Sequence, residues 1–130
     1  MAEGQELRKK ILIIEDHIDV ADIEMLLCDM EGYEVRLAKD GEAGWEAVLE
    51  FHPDLVLLDL MLPGELTGND VLKRIREEIH GTVPRVLVVS ALVNSDTAPN
   101  LRTPGEVETM SKPFMVNELA DRVRGMLQNR

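Results

Sequence analysis

The sequence Asp54-Leu55-Val56-Leu57-Leu58-Asp59-Leu60-Met61-Leu62-Pro63-Gly64 carries the clearest structural signal in this 130-residue chain. The continuous apolar run before Asp59 is typical of a strand that is buried on both faces of a parallel sheet. The Pro-Gly pair that follows turns the backbone away from the strand. Because ligands of open α/β sheets bind beyond the carboxyl ends of the strands, Asp59 stands where a reactive group is expected.

The same kind of short apolar run recurs on both sides of this stretch, and helical periodicity fills the intervals between the runs. The predicted strands cover residues 11–14, 33–38, 55–58, 85–89 and 107–110, and the predicted helices cover 20–30, 42–51, 69–79 and 116–128. Residues 92–106, which hold two prolines, should form at most one or two helical turns. Strands that alternate with helices in this way predict a right-handed α/β layer sandwich around a parallel sheet.

The spacing of apolar residues also predicts which side of each helix faces the core. The predicted inward residues are Val20, Ile23, Leu26, Leu27 and Met30 in the first helix, Ala43, Ala47 and Phe51 in the second, Val71, Leu72, Ile75 and Ile79 in the third, and Val116, Leu119, Ala120, Val123 and Leu127 in the last. Asp19 is the expected cap of the first helix, because an aspartate side chain accepts hydrogen bonds from free backbone N–H groups at a helix start.

Composition and charge narrow the class of protein. The formal net charge of −11 opposes direct binding to a nucleic-acid backbone. The N-terminal residues lack the apolar core of a signal peptide, and no apolar run approaches the ~20 residues of a membrane span. The single cysteine, Cys28, excludes an internal disulfide and suits a reducing compartment. We therefore expect a single cytoplasmic domain over residues 1–130, not bound to a membrane, with a frayed N-terminus at residues 1–8.

Side chains able to take part in chemistry stand at or just beyond the ends of four predicted strands. Glu15 and Asp16 follow the first strand, Asp59 the third, Ser90 the fourth and Lys112 the fifth. In a parallel sheet these strand ends lie on one edge, so three carboxylates meet there and repel each other unless a cation joins them. Mg²⁺ suits a site with few carboxylates and many waters. Asp59 would then be an ionised nucleophile that needs no general base.

These residues together resemble the receiver domain of two-component response regulators over roughly residues 10–128. The motifs that carry the resemblance are Glu15-Asp16, Asp59-Leu60-Met61-Leu62-Pro63-Gly64, Ser90-Ala91 and Lys112-Pro113-Phe114. The resemblance implies a flavodoxin-like (βα)5 three-layer sandwich, with a parallel five-stranded sheet in the order 2-1-3-4-5. Four separate motifs in the right order, each at a strand end, make the match specific, whereas any one of them alone would be weak.

The resemblance also implies a function in a His-to-Asp phosphorelay. Asp59 would accept a phosphoryl group from a sensor histidine kinase or a histidine phosphotransfer protein, and Ser90 and Lys112 would contact phosphoryl oxygens. Asp16, Asp59 and the backbone carbonyl of Met61 would hold Mg²⁺, with Glu15 acting through water. The phosphorylated domain would then switch a surface that binds an unidentified downstream protein, and it would not be a turnover enzyme.

Two departures from the family pattern concern the output switch. The family usually carries an aromatic residue three positions before the lysine, and this chain has Thr109 there. Pro99 and Pro104 fall where the fourth helix normally packs, so we expect residues 93–106 to be irregular and mobile. These departures keep open the alternative of a pseudo-receiver, an interaction module that binds partners without phosphorylation.

Two other classes share a parallel sheet with chemistry at the strand ends. A phosphatase of the haloacid-dehalogenase type would need a second carboxylate two residues after the nucleophile, and Met61 occupies that position. A flavodoxin would cradle the phosphate of its flavin with hydroxyls and amides in the first loop. This chain instead places Glu15 and Asp16 in that loop, which disfavours a flavin site.

Overall fold

The computed structural model describes residues 8–128, in which five strands alternate with five helices. The strands are β1 Lys10–Ile14, β2 Glu34–Ala38, β3 Leu55–Leu58, β4 Arg85–Ser90 and β5 Val107–Ser111. The helices are α1 Ile18–Met30, α2 Gly41–Phe51, α3 Gly68–Glu78, α4 Ala98–Leu101 and α5 Val116–Gln128. The predicted succession of strands and helices is therefore confirmed, with boundaries that shift by one or two residues.

All five strands are parallel and lie in the order β2-β1-β3-β4-β5, as the resemblance implied. Strand β3 lies at the centre of the sheet, and Leu58 at its end is level with Ile14 of β1 and Val88 of β4. The residues that follow these strand ends must therefore emerge side by side. This register brings Glu15, after β1, next to Asp59, after β3.

The sheet separates two hydrophobic cores, which makes the molecule a three-layer sandwich. On one face, side chains of the sheet pack against α2 and α3, with partly buried residues of α4 at the margin. On the other face they pack against α1 and α5. Strand residues alternate between the two cores, so that Leu12 and Ile14 face one core while Ile11 and Ile13 face the other. All four are fully buried, as expected for a strand covered on both sides.

The predicted inward faces of α2, α3 and α5 are largely confirmed. Buried residues that were predicted are Ala47, Phe51, Val71, Leu72, Ile75, Leu119, Ala120, Val123 and Leu127. Two residues were assigned wrongly: Ala43 is exposed, and Val116 is 50% exposed at the first position of α5. Both lie in the first turn of a helix, where the chain has only just reached the sheet and little packs over it.

The predicted inward face of α1 is only partly confirmed, because Leu27 packs against the core and Val20 is half-buried, whereas the other three predicted residues are exposed. Ile23, Leu26 and Met30 are 45%, 61% and 76% exposed, and the buried residues of this helix are Ala21, Glu24 and Cys28. The physical reason is that α1 carries apolar side chains on every side, so their spacing does not fix which side turns inward. The face that packs holds the small residues Ala21 and Cys28, which allow close approach to the sheet and α5.

The predicted cap of α1 is wrong. The residue at the N-cap position is His17, which makes no side-chain capping hydrogen bond, and Asp19 lies inside the first turn. A carboxylate in the first turn still complements the positive end of the helix dipole. By contrast, the Asp40 side chain caps α2 by accepting a hydrogen bond from the backbone N–H of Ala43.

The segment between β4 and β5 contains one helical turn, α4, in agreement with the sequence prediction of at most one or two turns. Its end is held by Arg76 of α3, whose Nη2 donates to the carbonyl of Leu101 at 2.6 Å and to Thr103 Oγ1 at 3.1 Å. Thr103 also forms an isolated antiparallel bridge with Val107. The expectation that residues 93–106 are mobile stays a prediction.

Two further predictions concern the chain end and the membrane. The frayed N-terminus was predicted for residues 1–8, and residues 1–7 lie outside the described part of the chain. Among residues 8–128, no helix combines the length and the hydrophobicity that crossing a bilayer would require.

Candidate functional site

Three carboxylates meet at the carboxyl edge of the sheet, as the sequence predicted. Glu15 and Asp16 follow β1 and Asp59 follows β3, and each of the three offers an oxygen within 4.8 Å of the others. Glu15 and Asp59 are 2% and 5% exposed, whereas Asp16 is exposed. The pocket therefore has a buried floor formed by two acids and an open side at Asp16, from which a ligand can enter.

Lys112 reaches this pocket from the end of β5. Its Nζ donates to Oε1 of Glu15 at 2.6 Å and to Oδ2 of Asp59 at 2.9 Å, so that one ammonium joins both buried carboxylates. The backbone N–H of Lys112 donates to the carbonyl of Ser90 at 3.1 Å. The backbone of the lysine is thus held by the end of β4, and its side chain is held by the two acids that follow β1 and β3.

Backbone N–H groups orient the two buried carboxylates. The N–H of Met61 donates to Oδ1 of Asp59 at 3.1 Å, and the N–H of His17 donates to Oε2 of Glu15 at 3.0 Å. Each acid therefore uses one oxygen for a backbone donor and the other for Lys112. The carbonyl of Met61 as a metal ligand stays a prediction, and the Met61 side chain is 55% exposed beside the pocket.

Ser90 ends β4 and is fully buried. It is level with Ser111 of β5, the residue before Lys112, and its Oγ accepts a hydrogen bond from the N–H of Leu92 at 3.3 Å. The register places Ser90 at the same edge as Asp59, in agreement with the sequence prediction. Its contact with a phosphoryl group stays a prediction.

Gly68 allows α3 to begin directly against the backbone of Asp59. A Cβ at this position would lie 2.2 Å from the carbonyl oxygen of Asp59 and 2.5 Å from Cα of Leu60. The N–H of Gly68 donates to the carbonyl of Leu60 at 3.3 Å. This role of Gly68 was not predicted from the sequence. A usable signal is the position of the glycine directly after Thr67, because threonine is a good helix cap and glycine permits a close approach.

Burial and charge shift the pKa values of two pocket residues in the same direction. Burial raises the pKa of Glu15 above its usual value, and the contacts with Lys112 and the N–H of His17 only partly offset this. Burial alone would lower the pKa of Lys112, but hydrogen bonds to Glu15 and Asp59 outweigh it and the pKa is raised. Lys112 therefore stays charged at neutral pH.

The donor set fits a hard divalent cation such as Mg²⁺. All three clustered ligands are carboxylate oxygens, the ligand type that Mg²⁺ and Ca²⁺ prefer. The Lys112 ammonium already lies between two of the acids, which shows that the pocket needs positive charge to hold these groups together. The predicted metal residues Glu15, Asp16 and Asp59 are therefore brought together in a geometry that a cation can use.

One further acid, Glu24 of α1, is buried, and its burial was not predicted from the sequence. It is 2% exposed, and among residues 8–128 its Oε1 has no hydrogen-bond partner. Burial, and next the charge of Glu15, raise the pKa of Glu24 to about 8. The sequence contains no clear signal for this burial, because apolar residues on every side of α1 left its inward face undetermined.

Comparison with known proteins agrees with this geometry. The response regulator receiver domain family matches residues 11–124. The DNA-binding response regulator MtrA of Mycolicibacterium paratuberculosis is 35% identical over 122 residues, which cover 94% of this chain and 52% of MtrA. This chain spans about half the length of the curated relatives that it matches.

Solved structures of receiver domains have the same fold. The signal receiver domain of a Vibrio parahaemolyticus protein superposes with a TM-score of 0.85 at 27% identity, covering 95% of this chain and 92% of that one. The receiver domain of the Francisella response regulator 1452 gives 0.81 at 25% identity, covering 94% and 98%. The flavodoxin-like fold implied by the resemblance is thus confirmed. Since the family match spans most of the sequence and includes every strand end of the pocket, this chain belongs to the response regulator receiver domain family.

Proposed function

We propose that this receiver domain accepts a phosphoryl group on Asp59 in a two-component His-to-Asp phosphorelay. The observation that carries the proposal is the pocket itself, where Glu15, Asp16 and Asp59 cluster within 4.8 Å and Lys112 contacts Asp59 at 2.9 Å. A carboxylate held by one backbone donor and one ammonium is fixed in orientation, as a nucleophile must be. Such an arrangement has no evident use as a purely structural feature, because buried carboxylates are costly to keep together.

The chain's own oxygens would hold the metal. In this proposal Asp16, Asp59 and the carbonyl of Met61 bind Mg²⁺ directly, and Glu15 binds through water. The ion, when bound, supplies positive charge that offsets the charge on the phosphoryl oxygens. The open side of the pocket at Asp16 leaves room for water ligands and for the phosphodonor.

The transfer is an in-line displacement at phosphorus. A carboxylate oxygen of Asp59 forms the new O–P bond, and the P–N bond of the donor phosphohistidine breaks, with its electron pair left on the imidazole nitrogen. Lys112 and the hydroxyl of Ser90 contact phosphoryl oxygens during this step. Water later attacks the acyl phosphate, which restores the carboxylate and releases inorganic phosphate.

The switch would act through the residues that join Lys112 to the rest of the sheet. When Lys112 turns from the carboxylates toward the phosphoryl group, its backbone bond to the Ser90 carbonyl couples it to the end of β4. The loops after β4 and β5 then carry the change to a surface for an unidentified downstream protein. Domain output of this kind needs no turnover, so we propose a cytoplasmic signalling domain and not an enzyme.

A phosphodonor protein needs a docking surface next to the pocket, and α1 provides one. This helix starts two residues after Asp16 and exposes Ile23, Leu26 and Met30, which lie on one helix face, by 45%, 61% and 76%. Exposed apolar side chains in one row mark protein interaction sites. We propose that the sensor kinase or histidine phosphotransfer protein binds this row. DNA binding belongs to relatives such as MtrA, and the net charge of −11 opposes direct nucleic-acid binding by this chain.

Labelling by acetyl phosphate tests the proposed acceptor. Wild-type protein should take up one phosphoryl group in the presence of Mg²⁺, and Asp59→Asn should abolish uptake. Asp54→Asn is the matched control, because Asp54 lies at the opposite end of β3 and its Oδ2 accepts from the backbone N–H of Lys10. Uptake that is undiminished in Asp59→Asn would place the acceptor elsewhere. Absence of uptake in wild-type protein would favour the pseudo-receiver, which Thr109 in place of an aromatic residue keeps as the second candidate.

The docking surface is tested by phosphotransfer from the cognate kinase. Leu26→Glu should lower the transfer rate by roughly tenfold or more, since a hot-spot residue contributes about 1–2 kcal/mol to binding. Labelling by acetyl phosphate should be unchanged, because Leu26 lies away from the pocket. Leu49→Glu makes the same substitution at a 48% exposed leucine on α2, and as the control it should leave both rates unchanged. Equal loss in Leu26→Glu and Leu49→Glu would contradict the assignment of α1.

A further inference from the structure

Glu24 is a carboxyl group in an environment where carboxylates are rarely tolerated. It lies on the inward face of α1 between Ala21 and Cys28, and only 2% of its surface is exposed. No described residue hydrogen-bonds to its Oε1. Burying an unpaired carboxylate costs far more than burying a neutral carboxylic acid, so the protonated form is favoured in this position.

The charged groups that act on Glu24 are those of the pocket. Glu15 after β1 and Asp59 after β3 oppose its ionisation, and Lys112 after β5 favours it. On α1 itself, the neighbouring titratable group is the buried thiol of Cys28, whose pKa is raised to about 12 by burial and next by Glu24. Helix α5, which packs against the same core, contributes the apolar residues Leu119 and Val123 to it, and its charged Arg124 pairs with Glu31, just after α1, at 2.9 Å. A change of charge in the pocket is therefore expected to change the pKa of Glu24.

We propose that Glu24 is a proton-linked sensor of pocket charge, which ionises more readily when a divalent cation joins Glu15 and Asp59 than when Lys112 alone lies between these acids. The inference rests on the proposed function, because it takes the pocket to be a Mg²⁺ site. Binding of Mg²⁺ would release the proton of Glu24 to solvent. By reciprocity, ionisation of Glu24 at higher pH would strengthen Mg²⁺ binding by the same factor.

A link between Glu24 and the pocket can be distinguished from simple burial of an acid. A buried carboxyl with no link to the pocket would titrate at the same pH with and without the ion. A linked carboxyl changes its titration midpoint, because positive charge added near a buried carboxyl favours its ionised form, here by roughly one pH unit. The affinity for Mg²⁺ should then rise between pH 6.5 and 9 in wild-type protein and rise less in Glu24→Gln.

The carbon-13 resonance of the Glu24 side-chain carboxyl measures this directly. Without Mg²⁺, its titration midpoint should lie near pH 8, and saturating Mg²⁺ should lower the midpoint by roughly one unit. A midpoint in the ordinary range of glutamate would overturn the proposal, as would a raised midpoint that Mg²⁺ does not move. If Mg²⁺ also left the resonances of Asp59 unchanged, the metal site itself would fail, and the failure would be distinguishable from loss of the Glu24 link alone.

Proton release on Mg²⁺ binding provides the second readout. Titration with Mg²⁺ in weakly buffered solution at pH 8 should release more protons per bound ion from wild-type protein than from Glu24→Gln. Asp22→Asn removes an exposed acid of the same helix and should release as many protons as the wild type. Equal release from wild type and Glu24→Gln would overturn the proposal. Thermal unfolding of each variant confirms that Glu24→Gln is folded when its proton release is measured.

Discussion

Helices α1 and α3 pack on opposite faces of one sheet, yet they bury very different residues. The buried side chains of α3 are apolar at helical spacing, with charged residues on the outside, whereas α1 buries a carboxyl group and exposes large apolar side chains. In α3 the buried residues include Val71, Leu72 and Ile75. In α1 the buried residues are Ala21, Glu24 and Cys28, and the exposed apolar residues include Ile23, Leu26 and Met30.

The difference indicates that the two helices have different roles in the molecule. Helix α3 is oriented by its core residues, and its first residue, Gly68, fits against the backbone of Asp59. Helix α1 starts beside the acidic pocket and exposes the apolar side chains that we propose for partner binding, while its one buried acid, Glu24, interacts electrostatically with that pocket. Stability should therefore depend strongly on α3, and the response to pH and to ions should depend on α1.

The largest expected effect is loss of the α3 core. Ile75 is 1% exposed, so Ile75→Ala should lower the free energy of unfolding by about 4 kcal/mol through lost burial and a cavity. Leu26→Ala, on the exposed face of α1, should change it by less than about 0.5 kcal/mol. Urea denaturation of the two variants measures the difference. Similar losses in both would mean that the outer face of α1 is buried in solution.

The next effect concerns the buried acid of α1. Because folding raises the pKa of Glu24 from 4.5 to about 8, the folded state binds its proton more tightly than the unfolded state. Glu24 therefore leaves the free energy of unfolding unreduced below about pH 4.5 and reduces it progressively as the pH rises toward 8. Glu24→Gln should be more stable than wild type by about 3 kcal/mol at pH 7. The gain should vanish at pH 4.5, and a gain that is independent of pH would contradict this explanation.

The third effect tests the close approach at the start of α3. Gly68→Ala should destabilise the protein by about 2 kcal/mol, since its methyl group would lie 2.2 Å from the Asp59 carbonyl oxygen and force a backbone shift. Gly125→Ala in α5 is the control, because a Cβ there meets nothing within 4 Å. That change should stabilise the helix by about 0.5–1 kcal/mol. Loss of stability in both variants would point to a general intolerance of substitution instead.

The smallest effect compares the two helix starts. Thr67 caps α3 in a reciprocal pair with Asp70, at 3.1 Å and 3.0 Å, whereas the side chain of His17 makes no capping bond for α1. Thr67→Ala should cost about 1 kcal/mol and His17→Ala close to nothing. Thermal unfolding at a single pH resolves the two. An equal cost would show that His17 contributes through a contact other than capping.

The sequence was sufficient to predict the fold and the pocket, because both depend on strand ends in a parallel sheet. Once the strand before Asp59 was identified, the register of a parallel sheet required Glu15 and Lys112 to reach the same edge. In the structure, Lys112 contacts Glu15 at 2.6 Å and Asp59 at 2.9 Å.

The orientation of α1 was not predictable in the same way. Apolar residues occur on every side of this helix, so periodicity allowed more than one inward face, and small residues decided the outcome through close packing. The burial of Glu24 could not be predicted from the general rule that charged residues lie outside. The role of Gly68 also needed coordinates, because it depends on the distance between two backbones.

The most direct test of the central claim is the position of the phosphoryl group after exposure to a small phosphodonor, with and without Mg²⁺. Peptide mapping by mass spectrometry should locate a single phosphoryl group on Asp59, only when Mg²⁺ is present. A phosphoryl group on another residue, or uptake that is equal without a divalent ion, would contradict the proposal that the acids after β1 and β3 bind a metal so that Asp59 can be phosphorylated.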